Sequence, residues 1–245
     1  MALIMDSRFR VDLIAATPNP QQVCWAAMHQ DYSEGYVVDD RANWPEESRA
    51  GEICVKRLLA GERGHYGPLE HGQIVLNVGW FPHSVMQQAR THRVGVSFDV
   101  QSLRYTGGRI IDYVIGERDF EEVFYLRPLG YYSNRQGKKY YYDALHRAAD
   151  KELCTTAALR YAKLIEDGFA EEHARSILPF DVRQHFVVSF SLRAFLHFLD
   201  LRAKLDAQDE IRQLCDLMCP HLQAWAPEIA AWYHQHRWAK ARLAP

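Results

Sequence analysis

Residues 87–108 of the chain are QQARTHRVGVSFDVQSLRYTGG, a stretch that crowds arginine, histidine and hydroxyl side chains between an apolar run and a Gly-Gly pair. Its cationic residues alternate with small and apolar ones, and Asp99 is the only acid within it. A buried guanidinium without a carboxylate partner is unfavourable. The composition therefore favours an anion-binding site over a solvated basic face, which is the ordinary alternative for an arginine cluster.

The local pattern assigns a conformation to this stretch. The proline that precedes it suits the first turn of a helix that runs to Arg93. Gly95 and the β-branched residues around it then predict a change to extended chain. In extended chain the side chains of Ser102 and Arg104 point to the same side. A hydroxyl beside a guanidinium, with Arg90 and Arg93 upstream, favours a phosphorylated ligand.

Periodicity and turn signals elsewhere predict strands and helices without the strict alternation of a parallel βαβ fold. The predicted strands are 11–16, 74–80, 110–115, 123–126, 186–190 and a hairpin at 130–142 with an Asn-Arg-Gln-Gly turn. The predicted helices are 17–27, 52–59, 143–166, 171–178, 192–204, 210–218 and 226–233, with a surface loop at 30–50. We expect an α/β (α+β) fold, a mixed or antiparallel sheet packed with long helices. It would form a single domain, residues 1–245, with a basic, peripheral C-terminal tail at about 234–245.

Composition and charge are those of an ordinary globular enzyme. Basic residues number 29 and acidic residues 31, so the net charge of −2 directs the chain neither to nucleic acid nor to a membrane. No apolar run approaches the roughly 20 residues of a membrane span, and residues 1–6 show no secretory signal. The five scattered cysteines predict reduced thiols in a cytoplasmic protein. Glu70-His71 lacks a third ligand at metal-binding spacing, so no metal is predicted.

His92-Arg93 followed by Ser102-Leu103-Arg104-Tyr105 resembles the signature of the flavin-dependent thymidylate synthases. In that family an Arg-His-Arg triplet precedes a serine by seven residues, and an Arg-Tyr pair follows. Thr91 stands where the first arginine of the triplet is expected, and eight residues separate Arg93 from Ser102. Arg90 is a candidate to supply the missing guanidinium from one residue earlier.

The resemblance implies a bound FAD. A His-x-x-Pro-x-Glu-His turn borders the flavin in the family, and residues 65–71 match it, which makes His65 a candidate catalytic residue. The residues that the resemblance assigns to FAD are Gly67, Thr91, His92, Arg93, Ser191, Leu192, Arg193 and His197. Ser191 and His197 stand where asparagines are common in the family.

The resemblance also implies a dUMP site. Arg175 precedes a Leu-Pro pair by three residues, as the nucleotide-binding arginine of the family does, and Arg202 matches the arginine beside the base. The residues assigned to the nucleotide are Gln88, Arg90, Ser102, Leu103, Arg104, Arg175 and Arg202. Arg202 is a catalytic candidate because it would stabilise negative charge on the uracil. An ion pair between Arg202 and Asp206 is its structural alternative, and both roles stay open.

Ser102, the other catalytic candidate of the signature, is expected to position the nucleotide. A serine nucleophile needs an adjacent base, and no His-Asp arrangement accompanies it in the sequence. Nor does any cysteine lie near the cluster, in contrast to the thymidylate synthases that attack uracil with a thiolate.

The function implied is reductive methylation of dUMP to dTMP, with methylenetetrahydrofolate as carbon donor and NADPH as reductant. The resemblance further implies a homotetramer whose active sites are shared between subunits. Neither a Gly-x-Gly-x-x-Gly fingerprint nor a P-loop is present, so side chains and helix ends would hold the FAD.

Two other functions stay open from the sequence. A flavoprotein of the same fold would methylate another uracil nucleotide such as UMP. A non-enzymatic module would bind single-stranded nucleic acid through the arginines and the tyrosine-rich segment 130–142, which cross-strand aromatic pairing explains more simply. We expect small-molecule partners only, with no nucleic acid and no membrane.

Overall fold

Four strands form one sheet, which supports both ends of the arginine-rich stretch. The computed structural model describes residues 5–61, 64–134 and 136–240. The order across the sheet is β1 (Arg10–Ala16), β2 (Gln73–Pro82), β6 (Arg183–Ser191) and β3 (Val96–Val100). The N–H of Ser191 donates to Gly95 O, and the N–H of Gln101 donates to His185 O. These bonds run in opposite order along β3 and β6, as antiparallel pairing requires.

The helices and the remaining strands follow in chain order. The α-helices are α1 (Pro20–Gln30), α2 (Glu47–Cys54), α3 (His83–Ala89), α4 (Leu103–Thr106), α5 (Gly108–Val114), α6 (Phe120–Val123), α7 (Ala144–Glu166), α8 (Glu171–Ala174), α9 (Leu192–Arg202), α10 (Asp209–Trp225) and α11 (Pro227–His236). Short 3₁₀ turns are Val37–Asn43, Gly67–Glu70 and Arg175–Ile177, and Val55–Leu59 is a π turn. An antiparallel hairpin consists of β4 (Gly130–Ser133) and β5 (Lys139–Tyr142).

The chain divides into two compact units. The first unit is Met1–Phe9, Gly79–Ala89 and Val100–Phe186, and the second unit is Arg10–Val78, Arg90–Asp99 and Val187–Pro245. The expected α+β fold with an antiparallel sheet is confirmed. A single domain over the whole chain stays a prediction.

In the first unit, α7 provides the main packing surface. Asp143 caps this helix by accepting a hydrogen bond from the N–H of His146 at 2.9 Å. The apolar core against it consists of Ile110, Phe120, Val123, Phe124, Leu126, Cys154, Ala158, Tyr161, Leu164, Ala174 and Val182. On α7 the side chain of Leu153 is exposed, whereas that of the neighbouring Cys154 is buried.

In the second unit, a buried carboxylate ties α9 to the C-terminal helix. Asp200 is 3% exposed and accepts hydrogen bonds from the Tyr233 hydroxyl at 2.8 Å and from Arg237 Nη2 at 2.8 Å. The tail beyond residue 234 is therefore not peripheral at Arg237, which is itself buried. Residues 241–245 lie outside the described part of the chain.

Two predicted strands of the first unit are wrong. Residues 110–114 belong to α5, and residue 115 follows its end. Residue 123 is the last residue of α6, and Phe124 forms an isolated bridge to Val182. Short apolar runs do not distinguish a strand from a buried helix. Asp119 and Glu122 form a capping box that starts α6, a signal that the sequence contains.

The other differences concern where elements begin and end. The helix expected to reach Arg93 ends at Ala89. Ser102 has the expected extended backbone, but it caps α4, so Arg104 lies in a helix. The loop expected at 30–50 contains a 3₁₀ turn and the start of α2. The helix expected to stop at Pro220 continues to Trp225, because a helix tolerates one missing N–H where its apolar face stays buried.

The tyrosine-rich hairpin is confirmed as cross-strand aromatic pairing. The rings of Tyr131 and Tyr141 are 4.8 Å apart, and those of Tyr132 and Tyr140 are 5.9 Å apart. Arg135 of the predicted turn lies outside the described residues.

The Gly107-Gly108 pair offers a test of the first unit. A Cβ at Gly107 would lie 2.0 Å from the hydroxyl of buried Tyr161 and 2.9 Å from Leu103 O, whereas nothing lies within 4 Å of a Cβ at Gly108. We expect Gly107→Ala to lower the free energy of unfolding by about 1–3 kcal/mol through overpacking. Gly108→Ala should raise it or leave it unchanged, because alanine favours the helix. Urea unfolding of both variants measures this, and equal effects would contradict the packing.

Candidate functional site

The predicted site residues are divided between the two compact units. Every residue that the resemblance assigns to FAD lies in the second unit, together with His65, Arg90 and Arg202. The remaining nucleotide residues lie in the first unit, and they are Gln88, Ser102, Leu103, Arg104 and Arg175.

The start of α9 arranges one group of these side chains. Ser191 ends β6 and caps α9 by accepting a hydrogen bond from the N–H of Ala194 at 3.2 Å. Arg193 is the second residue of α9, and its Nη1 donates to Glu70 Oε1 at 2.5 Å. Glu70 belongs to the 3₁₀ turn that begins at Gly67, so this ion pair joins two of the predicted cofactor segments.

These residues line a cavity of about 250 Å³. Its lining residues are Glu70, Val94, Gly95, Ser191, Arg193, Ala194 and His197. Gly95 has a φ of +67°, and a Cβ there would lie 2.6 Å from Ser191 Oγ and 3.0 Å from Ala194 Cβ. Only glycine fits this approach of the chain to α9. The sequence marked Gly95 as a change of conformation but gave no sign of this contact.

His92, Arg202 and Thr91 form a second group. Arg202 Nε donates to His92 Nε2 at 3.0 Å, and Arg202 Nη2 donates to Thr91 Oγ1 at 2.6 Å. Asp206, the alternative partner of Arg202, lies 3.3 Å from Lys204 Nζ. The fold thus brings the predicted catalytic arginine against two predicted cofactor residues more than 100 positions earlier.

The environment of His92 keeps its imidazole neutral. The side chain is 7% exposed, and burial, the charge of Arg202 and the nearby His197 together lower the pKa of His92 to about 4. Since Nε2 accepts a hydrogen bond from Arg202, the ring proton resides on Nδ1. His92 therefore presents a neutral Nδ1–H donor at physiological pH.

The acid partners of the arginines differ from expectation. Arg90 and Arg93 are exposed, and neither pairs with a carboxylate among the described residues, which suits an anionic ligand. Arg193 pairs with Glu70, however, and Arg104 Nε lies 3.3 Å from Glu172 Oε2. The expectation that the cluster has no acid except Asp99 is therefore wrong for Arg104, because α8 supplies Glu172 from 68 residues away.

In the first unit, α4 and the segment after α8 gather the nucleotide candidates. Ser102 caps α4 with a 3.4 Å hydrogen bond from the N–H of Arg104, and Leu103 packs on the apolar core. The pKa of Glu172 is lowered by its own backbone N–H first and then by Arg104, with smaller effects of neighbours that include Arg175. Two cations therefore act on one exposed carboxylate. No local sequence pattern pointed to Glu172.

The remaining candidates, His65, Leu192 and Gln88, lie outside the groups described above. His65 Nε2 lies 2.8 Å from Asp31 Oδ2, and both side chains are half exposed. The side chain of Leu192 is fully buried, and its N–H donates to Gly72 O at 2.9 Å, so a ligand could contact only its backbone. Gln88 lies near the end of α3.

Within residues 5–61, 64–134 and 136–240, no three His, Cys, Asp or Glu side chains are grouped as metal ligands. The helices of these ranges are also too short or too polar to cross a bilayer.

Comparison with known proteins identifies the family of the chain. The sequence model of the family described as thymidylate synthase complementing protein matches residues 12–228. The flavin-dependent thymidylate synthase of Haloarcula marismortui is 31% identical over 96% of this chain and 99% of its own. That of Thermococcus kodakarensis is 32% identical over 86% of this chain and 77% of its own.

The fold has a solved counterpart. The UMP/dUMP methylase PolB from Streptomyces cacaoi, solved with 5-Br dUMP, superposes with a TM-score of 0.76 at 20% identity and covers 98% of both chains. Fold and sequence thus define an enzyme, as predicted from the signature. The chain belongs to the thymidylate synthase complementing protein family.

Gly95 and Gly116 provide a matched pair of substitutions. Both have positive φ, +67° and +83°, so alanine is strained by about 1–2 kcal/mol at either position. Only at Gly95 would the added methyl group also strike Ser191 and Ala194. We expect Gly95→Ala to lower the free energy of unfolding by at least about 1 kcal/mol more than Gly116→Ala. Denaturant unfolding measures both, and equal losses would rule out the close approach.

His92 predicts a pH dependence of stability. Between pH 6.5 and 4 the unfolded chain protonates this histidine and the folded chain does not, so stability is fully present above pH 6.5 and falls as the pH falls. The lowered pKa corresponds to a loss of about 2 kcal/mol between pH 7 and pH 5. His92→Asn should lack this component. Urea unfolding at both pH values compares the two proteins, and parallel losses would refute the lowered pKa.

Proposed function

We propose that the chain is a flavin-dependent thymidylate synthase that methylates dUMP to dTMP, with FAD as bound cofactor, methylenetetrahydrofolate as carbon donor and NADPH as reductant. The observation that carries the proposal is the contact of Arg202 with His92 and Thr91. The family signature associates these residues with the base and the flavin, and they meet in the second unit. The names of the relatives support the same chemistry.

The second unit has the donors that a flavin dinucleotide needs. Arg90 and Arg93 are exposed cations whose guanidinium groups suit a diphosphate, and His92 adds a neutral Nδ1–H. The absence of a side chain at Gly95 lets the backbone pack against Ser191 and Ala194, and all three residues line the cavity beside α9. When bound, the reduced flavin supplies the hydride that completes the methyl group.

The cavity beside α9 holds only part of such a cofactor. Its volume of about 250 Å³ is below the roughly 300–1,000 Å³ of whole small-molecule sites. We therefore propose that neighbouring subunits of a cytoplasmic homotetramer complete each site. The exposed positions of His65 and Gly67 suit a contact with such a shared ligand.

The first unit would bind the phosphate of dUMP. Arg104 pairs with Glu172, and Arg175 has a smaller electrostatic effect on the same carboxylate. A nucleotide phosphate carries nearly two charges at neutral pH and would displace this carboxylate. Ser102 accepts only a long hydrogen bond from the Arg104 N–H, so its hydroxyl proton is available to the nucleotide.

The chemistry requires electron density at C5 of uracil, which is a poor nucleophile. Arg202 would stabilise the negative charge that develops on the ring oxygens. Its own pKa is lowered by burial, and its contact to a neutral imidazole leaves its positive charge uncompensated by His92. The half-buried position strengthens this effect, since water screens the charge less.

The cysteines do not favour the alternative mechanism, in which a thiolate adds to the ring. Cys24, Cys54, Cys154 and Cys215 are buried, and Cys219 is half-buried. Burial raises the pKa of Cys24 and of Cys154 to about 12, and it raises the pKa of the other three thiols as well. A thiol of this kind is not a nucleophile at neutral pH.

Methylation of UMP is the second candidate function. It is favoured by the fold of PolB, whose solved structures include complexes with 5-Br dUMP and with 5-Br UMP. The two substrates differ at C2′ of the sugar, where UMP carries a hydroxyl group and dUMP does not.

Turnover with each nucleotide tests the proposal. We expect the purified protein to carry a flavin spectrum and to methylate dUMP in preference to UMP. Arg104→Ala should weaken dUMP binding roughly ten- to a hundredfold, because a charge-assisted hydrogen bond to the phosphate contributes about 1.5–3 kcal/mol. A colourless protein without turnover would refute the assignment.

Deoxyuridine, which lacks the phosphate, is the control for Arg104. Wild type should bind it poorly, and Arg104→Ala should lose little further. An equal loss of affinity for deoxyuridine and dUMP would show that Arg104 does not bind the phosphate.

A further inference from the structure

The second unit contains another, larger cavity, away from the residues that line the first. Its volume is about 630 Å³, within the range of small-molecule sites. It is lined by Trp25, Met28, His29, Tyr32, Ile53, Arg57, Leu58 and His65. None of these residues lines the cavity beside α9, and only His65 was assigned a role from the sequence.

Flat aromatic faces form one wall of this aromatic cavity. The rings of Trp25 and His29, one turn apart on α1, stack at 4.6 Å with an interplanar angle of 16°. The ring centroids of Trp44 and Trp25 are 6.0 Å apart, and Trp44 Nε1 donates to Val37 O at 3.0 Å. The wall is therefore fixed in place, and it suits a planar ring.

A π turn contributes two further residues to the lining of the aromatic cavity. The N–H of Ala60 donates to Val55 O at 2.8 Å, five residues back, and this wider turn carries Arg57 and Leu58 into the lining. Single π turns within helices are frequent at functional sites, because they change the direction of side chains at a cost in helix stability.

The permanent charge of the aromatic cavity comes from Arg57. Among the described residues that line it, Arg57 is the only permanently charged one, and none is acidic. Among the described residues, no carboxylate pairs with Arg57. The lining residue His65 pairs with Asp31, whose Oδ2 lies 2.8 Å from His65 Nε2. A cation beside an apolar aromatic wall is complementary to an aromatic ring that carries an anionic group.

We propose that this aromatic cavity binds a planar aromatic ring joined to a carboxylate or phosphate, with the ring against Trp25 and the anion on Arg57. This inference rests on the proposed function, whose two co-substrates both have such a part. A folate has a p-aminobenzoyl-glutamate end, and NADPH has an adenosine 2′-phosphate end. The cavity is thus the entry of one co-substrate to the second unit.

Fragment titration of the flavin-loaded protein tests this directly. The probes are p-aminobenzoyl-glutamate for the folate and adenosine 2′,5′-bisphosphate for the pyridine nucleotide, each measured by isothermal titration calorimetry. We expect one of them to bind wild type and to bind Arg57→Gln at least tenfold more weakly. The fragment that behaves so identifies the co-substrate.

Arg49→Gln is the matched control. Arg49 is an exposed arginine of α2 that pairs with Glu52 and does not line the cavity, so its substitution should leave fragment affinity unchanged. Absence of binding by both fragments, or equal weakening in both variants, would overturn the proposal. Methylation of dUMP is measured separately, so failure of the fragments with turnover intact removes this inference alone. Loss of turnover with fragment binding intact removes the proposed function alone.

Discussion

The buried carboxylate of Asp200 is the constraint on which the second unit depends. A charge that is 3% exposed must be compensated, and here Tyr233 and Arg237 of the C-terminal segment supply the donors. Burial still raises the pKa of Asp200, so the position of this acid depends on those contacts. Because Asp200 lies on α9 between His197 and Arg202, the same contacts fix where the site residues of that helix point.

Electrostatics around α9 keep the side chains of Arg202 and His92 in different charge states. Arg202 retains its charge although burial lowers its pKa, while His92 beside it loses its proton at a pKa of about 4. Two adjacent cations in a half-buried site would repel each other, and the imidazole is the weaker base. The result is a neutral donor at the predicted flavin position and a fixed positive charge at the predicted base position.

The carboxylates of Glu70 and Glu172 hold two of the site arginines in place. Arg193 and Arg104 each pair with an acid from a distant segment, at 2.5 Å and 3.3 Å. Both pairs are partly exposed, so each contributes little to stability and can be exchanged for a ligand anion. Such pairs keep long side chains ordered near the positions that a phosphate would occupy, which lowers the entropy lost on binding.

The sequence by itself determined the signature residues, the family, most helices and the antiparallel α+β class, because these depend on spacing, capping and hydrophobic period. It named Ser102 and Arg104 but placed Arg104 in extended chain instead of a helix, and it predicted strands at 110–115 and 123–126. Short apolar runs do not reveal whether they will pack on a helix such as α7.

Only the tertiary structure decided that Glu172 meets Arg104, that Gly95 touches Ser191 and that Arg202 meets His92. Each of these contacts joins segments tens of residues apart, and a local pattern carries no information about which distant side chain will lie next to it.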